Sequence, residues 1–145
     1  MKIYVDTNVL VAASVEEHPH HVQSFDLLKA VKEGAFEGCI CTHGLAEFYS
    51  VLTRAPFTPR VHPAEVGRFL NDNILPYFEL VELSADDYKT VLQSCSNAGL
   101  IGGVVFDALH LHSAQKAGCD RIYTFNVKDF RSLAPADLAG KIAAP

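Results

Sequence analysis

Short apolar segments alternate with longer helix-like segments along this chain. Four of the short segments have the length and composition of buried β-strands: residues 3–5, 38–42, 78–83 and 122–124. Helices are predicted between them over residues 21–33, 43–54, 64–73, 86–98 and 104–116. Strands that alternate with helices are typical of an α/β domain with a central parallel sheet and right-handed crossovers.

Capping and turn residues support several of these boundaries. Gly34 and Gly99 follow two of the predicted helices as stop residues. Thr42 is expected to cap the helix after the second strand, and Ser84 the helix after the third. Residues 56–63 contain three prolines and predict an irregular connection, which is a candidate substrate-facing flap.

Size and hydropathy favour one domain over residues 1–145. A chain of 145 residues with 49% apolar residues can bury a sufficient core by itself. We find no internal repeat, low-complexity tract or linker. The apolar stretches are shorter than the roughly 18 residues that a membrane span needs, and no signal peptide is recognised, so we expect a cytoplasmic protein without membrane contact.

The cysteines and the net charge exclude two classes of nucleic-acid-binding protein. The four cysteines lack zinc-finger spacing, and Cys39 and Cys41 share one face of a predicted strand, as packing residues do. A net charge of −5 excludes binding of nucleic acid by overall electrostatic attraction. Any nucleic-acid chemistry must therefore depend on a local site, where metal cations invert the local charge.

Three acidic residues occupy unusual positions in the pattern. Asp6 directly follows the first apolar strand, where it could also be a simple helix cap. Glu47 lies in a largely apolar helix, where the alternatives are a solvated face or a pairing with Arg54. Asp107 begins an otherwise apolar helix, where it could instead only stabilise the helix amino end.

Polar residues also follow the last predicted strand. Asn126 and Asp129 lie just past residues 122–124, as Asp6 lies just past the first strand. In open parallel sheets, sites form at the carboxyl ends of the strands, where the strand order reverses. Carboxylate oxygens are the ligands that Mg²⁺ and Mn²⁺ prefer, so we expect an acidic metal site at this edge.

Four features of the sequence resemble the PIN domain, in particular the VapC-type toxins of toxin-antitoxin pairs. They are residues 3–10 (IYVDTNVL), Glu47 in the helix after the second strand, residues 106–110 (FDALH), and residues 124–130 (TFNVKDF). The resemblance extends over nearly the whole chain. It implies a PIN-like three-layer α/β/α fold with a central parallel sheet.

The resemblance also implies an activity and a ligand set. Asp6, Glu47 and Asp107 match the catalytic metal ligands of a Mg²⁺-dependent endoribonuclease, with Mn²⁺ as a possible substitute. Thr7 and Asn8 match the polar positions that support the first aspartate. Asn126 stands where many members carry Asp, so either Asn126 or Asp129 is expected as the fourth metal ligand.

Partners follow from the same resemblance. A toxin of this kind implies an RNA substrate and a small VapB-like antitoxin, which inserts a segment near the acidic cleft. Basic side chains that could guide RNA phosphates are Arg54, Arg60, Arg68, Lys116, Arg121 and Lys128. Apolar residues on the predicted helices favour a homodimer: Phe25, Leu28, Phe69 and Leu70.

Three other functions compete with the nuclease. His43 with Glu47, and Asp107 with His110, have the spacing of transition-metal ligands, but a di-iron bundle needs four long helices. A phosphotransferase with an Asp nucleophile requires a second acid two residues after Asp6, and no P-loop is present. The third alternative is a non-catalytic PIN-like module that binds RNA or protein without cleaving it.

Overall fold

Five parallel strands form a single sheet in the computed structural model, which describes residues 1–145. Their spatial order is β3-β2-β1-β4-β5. The strands are β1 (Lys2–Val5), β2 (Glu37–Cys41), β3 (Phe78–Val81), β4 (Arg121–Tyr123) and β5 (Ile142–Ala143). The predicted parallel α/β sheet is confirmed, although β5 was not predicted.

Eight helices connect and cover the strands. They are α1 (Thr7–Ser14), α2 (His21–Lys32), α3 (Thr42–Arg54), α4 (Pro63–Phe69), α5 (Ala85–Asn97), α6 (Val104–Lys116), α7 (Val127–Leu133) and α8 (Ala136–Ala139). A single π-helical turn, Leu70–Ile74, follows α4. The predicted helices lie within a few residues of the observed ones. None of the eight is long and apolar enough to cross a membrane.

Alternating side chains of the strands build a core on each face of the sheet. Ile3 and Val5 contribute to one core with residues of α1, α2 and α3, whereas Tyr4 contributes to the other with residues of α6 and α7. Both faces of the sheet are therefore covered by helices. The expected three-layer α/β/α arrangement is confirmed.

Side-chain caps fix the starts of α3 and α5. The predicted Ser84 cap is confirmed as a reciprocal capping box with Asp87. The predicted Thr42 cap is wrong, because α3 begins one residue earlier than expected. Cys41 caps α3 instead, and its Sγ accepts a hydrogen bond from the Gly44 N–H at 3.2 Å.

The strand order reverses beside β1. The chain proceeds from β1 outward to β2 and β3, and then crosses to the other side of β1 to form β4 and β5. The carboxyl ends of β1 and β4 therefore form the edge at which a crevice is expected. Asp6 follows β1 and Asn126 lies three residues after the end of β4, so both belong to this edge.

Candidate acidic active site

Asp6 is buried at the carboxyl end of β1 and is held by two hydrogen bonds. Its Oδ1 accepts the Thr7 N–H at 2.7 Å, and its Oδ2 accepts the Thr124 hydroxyl at 2.7 Å. Burial raises the pKa of Asp6, and the charge of His110 opposes this effect in part. The Thr7 hydroxyl is buried beside this carboxylate without a hydrogen-bond partner. Asp6 is thus both the cap of α1 and an oriented, poorly solvated acid.

Asn8 and Thr124 connect the end of β1 to the segment after β4. Asn8 Oδ1 accepts the Phe125 N–H at 3.3 Å, and Asn8 Nδ2 donates to Thr124 Oγ1 at 3.5 Å. Thr124 Oγ1 also accepts the Asn126 N–H at 3.0 Å. Asn8 therefore lies in the expected supporting position. Thr124 was missed, because in the sequence it looks like the last residue of a strand.

Glu47 lies in the second turn of α3 and is half-buried. Its Oε1 accepts a hydrogen bond from His110 Nε2 at 3.0 Å. His43 Nε2 lies 2.8 Å from the same oxygen, without hydrogen-bond geometry. Burial would raise the pKa of Glu47, but the hydrogen bond and charge of His110 outweigh burial and lower it. Glu47 is paired with His110 and not with Arg54.

Asp107 is half-buried in the first turn of α6. Burial is the largest cause that raises the pKa of Asp107 to about 6, and the charge of Asp6 is the next. Asp129 and Glu47 raise it further, whereas His110 opposes the shift. The structure therefore brings these acidic residues into one electrostatic neighbourhood. A raised pKa is what carboxylates crowded together without a cation should show.

His110 lies at the centre of the site, whereas the sequence suggested it only as a partner of Asp107 in a transition-metal site. The side chain is 2% exposed, and its Nε2 lies 3.0 Å from Glu47 Oε1 and 3.5 Å from Asp6 Oδ1. Its Nδ1 lies 2.7 Å from Tyr4 Oη and 3.5 Å from Cys41 Sγ. Burial lowers the pKa of His110, but hydrogen bonds to Cys41 and Glu47 and the charge of Asp6 raise it well above its ordinary value. His110 therefore lies between two acids that favour its protonated form.

This pairing is a second argument against the transition-metal alternative. The spacing of Asp107 and His110 suggested a joint ligand pair, but the imidazole contacts Glu47 and Asp6. No group of three His, Cys, Asp or Glu side chains lies in coordinating positions. The physical reason is that Glu47 is turned toward His110. The edge formed by the carboxyl ends of β1 and β4 carries carboxylate oxygens, which are the ligands that Mg²⁺ prefers.

Asn126 and Asp129 lie at opposite ends of the first turn of α7. Both are exposed, and Asn126 occupies the cap position of this helix without making a side-chain cap bond. Asp129 is close enough that its charge contributes to the raised pKa of Asp107. Asp129 thus belongs to the acidic group electrostatically.

The predicted basic path is only partly available. Lys128 is exposed in the first turn of α7, beside Asn126. The predictions for Lys116 and Arg121 as phosphate-guiding residues are wrong. The Lys116 amine binds Asp87 at 2.6 Å, and Arg121 begins β4, at the opposite end of this strand from the acidic residues. The others are exposed and stay predictions: Arg54, Arg60 and Arg68.

Comparison with known proteins decides the family. The sequence profile of the PIN domain matches residues 3–134. The chain belongs to the PIN domain family. A relative of this PIN-domain protein is ribonuclease VapC40 of Mycobacterium tuberculosis, which is 31% identical over 113 residues, or 78% of each chain.

Solved structures share the fold. VapC20 of Mycobacterium tuberculosis, described as a sarcin-ricin loop cleaving toxin, superposes with a TM-score of 0.70 at 19% identity, over 90% of this chain and 93% of that one. VapBC2 of Rickettsia felis, bound to a promoter DNA fragment, gives 0.63 at 22% identity, over 91% and 92% of the two chains. These similarities confirm the PIN-like architecture.

Proposed function

We propose that this PIN-domain protein is a Mg²⁺-dependent endoribonuclease that acts in the cytoplasm as the toxin of a toxin-antitoxin pair. The observation that carries the proposal is the group of acids at the switch point of the sheet, in which both Asp6 and Asp107 have a raised pKa. Relatives named as ribonucleases support the choice of RNA. Functional sites are where such perturbed acids concentrate.

The donor chemistry fits a divalent metal, because carboxylate oxygens are its preferred ligands, although no three of these side chains already lie in coordinating positions. Asp6 and Asp107 would hold the ion, with Asp129 or the Asn126 amide as a further oxygen ligand. When bound, Mg²⁺ lowers the pKa of a water and neutralises charge on the scissile phosphate and the leaving oxygen. The cation would also offset the repulsion from Asp6, which adds to burial in raising the pKa of Asp107.

The protein's own groups supply orientation. Thr124 and the Thr7 N–H hold the Asp6 carboxylate in one direction, so little reorganisation is needed there. His110 holds Glu47 beside Asp6, and Glu47 or Asp107 can orient the attacking water. The water attacks phosphorus and gives its proton to the solvent or to a carboxylate. The phosphorus–oxygen bond to the leaving ribose breaks, and the released ribose oxygen takes up a proton from the solvent.

Cleavage of a panel of structured RNAs tests this proposal. We expect products in Mg²⁺ or Mn²⁺, none in EDTA, and loss of activity in Asp6→Asn and Asp107→Asn with the fold retained. Asp72→Asn is the matched control, because Asp72 is exposed in the π-helical turn before β3, away from the site. Intact RNA with every metal would contradict the nuclease.

The second candidate function is a PIN-like module that binds RNA or protein without cleaving it. Asn126 favours it, because this position lacks the charge that would complete a four-acid site. This module should bind RNA with an affinity that EDTA does not change, and Asp6→Asn should not weaken the binding. The nuclease proposal predicts instead that cleavage needs a divalent metal and is lost in Asp6→Asn.

We propose an antitoxin and a second copy as protein partners. A segment of the antitoxin carrying Arg or Lys could reach the acidic cleft and compete with the metal.

For the homodimer, Phe25 is exposed and lines a cavity of about 400 Å³ with Phe69, whereas Leu28 is already buried in the core. Sedimentation at micromolar concentration tests the dimer, and a monomer alone would exclude it.

A further inference from the structure

A stacked pair of flat side chains lies on one side of the acidic group. The rings of Phe106 and His43 are nearly parallel, with an interplanar angle of 8° and centroids 5.0 Å apart. Phe106 directly precedes Asp107 and is 45% exposed. His43 reaches within 2.8 Å of Glu47 at its Nε2. This pair, which we call the Phe106 stack, therefore adjoins two of the candidate catalytic acids.

A second stack lies beside the segment that follows β4. The rings of Phe125 and His20 are 4.5 Å apart at 20°, and the ring of His18 is 6.5 Å from Phe125 at 27°. Phe125 is partly buried against the core, while His20 is exposed. The Phe125 N–H binds Asn8, which contacts Thr124. This Phe125 stack is therefore fixed to the network that orients Asp6.

Packing alone does not account for the Phe106 stack. A single exposed apolar residue is ordinary on a protein surface. Here, however, both stacks lie at the same edge of the sheet, each joined to a different candidate acid. Phe106 in one stack and His20 in the other are exposed, and an exposed flat ring leaves a place for another flat ring in offset or parallel stacking.

The negative net charge of the chain favours base stacking as a source of RNA affinity. The chain carries a net charge of −5, and of the predicted basic residues only Lys128 lies at the start of α7 beside the acids. A phosphate contact from Lys128 alone would supply only a small part of the affinity. Bases of unpaired RNA stack on aromatic and histidine side chains, and each such contact contributes about 1–3 kcal/mol.

We propose that the Phe106 stack and the Phe125 stack are two nucleobase subsites, which hold the bases on either side of the scissile phosphate of an unpaired RNA segment. This inference rests on the proposed ribonuclease function and adds the groups that grip the substrate. The phosphate between the two bases is then placed over Asp6 and Asp107. Phe106 and Phe125 thus determine substrate affinity rather than the chemical step.

Fluorescence of 2-aminopurine measures stacking directly. We would place this base in a short unpaired RNA and titrate the full-length protein in EDTA, so that no cleavage occurs. Stacking should quench the fluorescence. Phe106→Leu and Phe125→Leu keep an apolar side chain but remove the ring, and each should raise the Kd about fivefold or more, the low end of one base–aromatic stack.

Matched variants separate stacking from loss of folding. Phe106→Tyr and Phe125→Tyr keep the ring and should bind as the wild type does. Tyr77→Leu removes an exposed ring just before β3, at the amino end of the sheet, and should not change the Kd. The double variant Phe106→Leu/Phe125→Leu should show the product of the two single effects, because two separate bases are lost.

An RNA with abasic riboses at the stacked positions completes the test. If the subsites exist, this RNA should bind as weakly to the wild type as normal RNA binds to the double variant. Equal binding of abasic and normal RNA, or unchanged Kd in both Leu variants, would overturn the proposal. Since binding in EDTA is the readout, this result is separate from failure of the nuclease, which would show as absent cleavage in Mg²⁺.

Discussion

His110 is a buried cation whose partners are the very acids proposed for catalysis. Because its pKa is raised, the stabilising contribution of the imidazolium is fully present below the ordinary pKa and is lost as pH rises through the folded-state pKa. His110→Ala leaves Asp6 and Glu47 facing each other without a counter-charge. We expect a loss of about 3–5 kcal/mol of unfolding free energy, as for a broken buried ion pair, measured by urea denaturation.

A double-mutant cycle distinguishes this pairing from simple packing. In the His110→Ala background, Asp6→Asn should be less destabilising than in the wild type, because it removes an unpaired charge. We expect a coupling energy of about 0.5–3 kcal/mol. Strictly additive effects would show that His110 contributes through volume and not through charge.

Asp107 should destabilise the fold at neutral pH. Its carboxyl group has a folded-state pKa of about 6 against an ordinary value of 3.8. For an acid with a raised pKa, stability falls as pH rises between these two values, and the full cost is present above pH 6. Asp107→Asn in EDTA should therefore add about 1 kcal/mol at pH 7, after allowance for solvent screening of a half-exposed group.

Thermal melts at acidic and neutral pH measure this effect. The gain from Asp107→Asn should shrink as the pH approaches 4, since the wild-type carboxyl is then protonated as well. Asp72→Asn should change the melting temperature little at either pH, because Asp72 is exposed and forms no ion pair. A lower melting temperature for Asp107→Asn at pH 7 would contradict the crowded acidic site.

At the scale of elements, the order of the first four strands and of the five longer predicted helices was predictable because each has its own apolar pattern. The helices α1, α7 and α8 were not predicted. β5 was missed because Ile142 and Ala143 are too short a pair to show any period. The cap of α3 was misplaced because Cys41 is a rare cap whose role depends on a thiol close to the Gly44 N–H.

Some residues of the candidate site were predictable from the sequence and others were not. Asp6 and Asp107 were predictable because they adjoin strand and helix boundaries that the sequence marks. His110 and Thr124 were not, because their roles depend on partners far away in sequence. His110 meets Glu47 across 63 positions, and Thr124 meets Asp6 across 118. Such contacts follow only from the strand order, which periodicity does not determine.

At Gly38, β2 packs so closely against β3 and α2 that no side chain fits. A Cβ at this position would lie 2.7 Å from the Phe78 ring of β3 and 2.7 Å from Val31 Cγ1 of α2. Neither group is the end of a flexible side chain, so the sheet and helix must move apart. Gly38→Ala should therefore destabilise the protein by about 1–3 kcal/mol in urea denaturation.

Gly67 provides the opposite case within a helix. Nothing lies within 4 Å of a Cβ built at Gly67 in α4. Gly67→Ala should stabilise the protein by about 0.4–1 kcal/mol, because the unfolded chain loses freedom and no clash arises. Equal effects of the two substitutions would show that the close approach at Gly38 is not a constraint on the fold.

For the whole molecule, the negative net charge limits how RNA can be held. For single strands, the logarithm of the binding constant falls with the logarithm of salt concentration by about 0.7 per phosphate contact. With Lys128 as the predicted cation beside the acids, we expect one or two such contacts and a slope no steeper than about −1.5. Lys128→Gln should reduce the slope by about 0.7 and weaken binding to all sequences alike.

The same titration separates two ways of building an RNA-binding protein. A weak salt dependence of RNA binding, together with a higher Kd for Phe106→Leu, means that affinity comes from stacking on aromatic rings. It also means that an acidic protein can bind a polyanion without a basic face. A slope steeper than about −3 would mean that four or more phosphates are contacted, so Arg54, Arg60 and Arg68 would then have to form the path. Because added metal itself attracts phosphate, the comparison must be made in EDTA, where only the protein's own charges act.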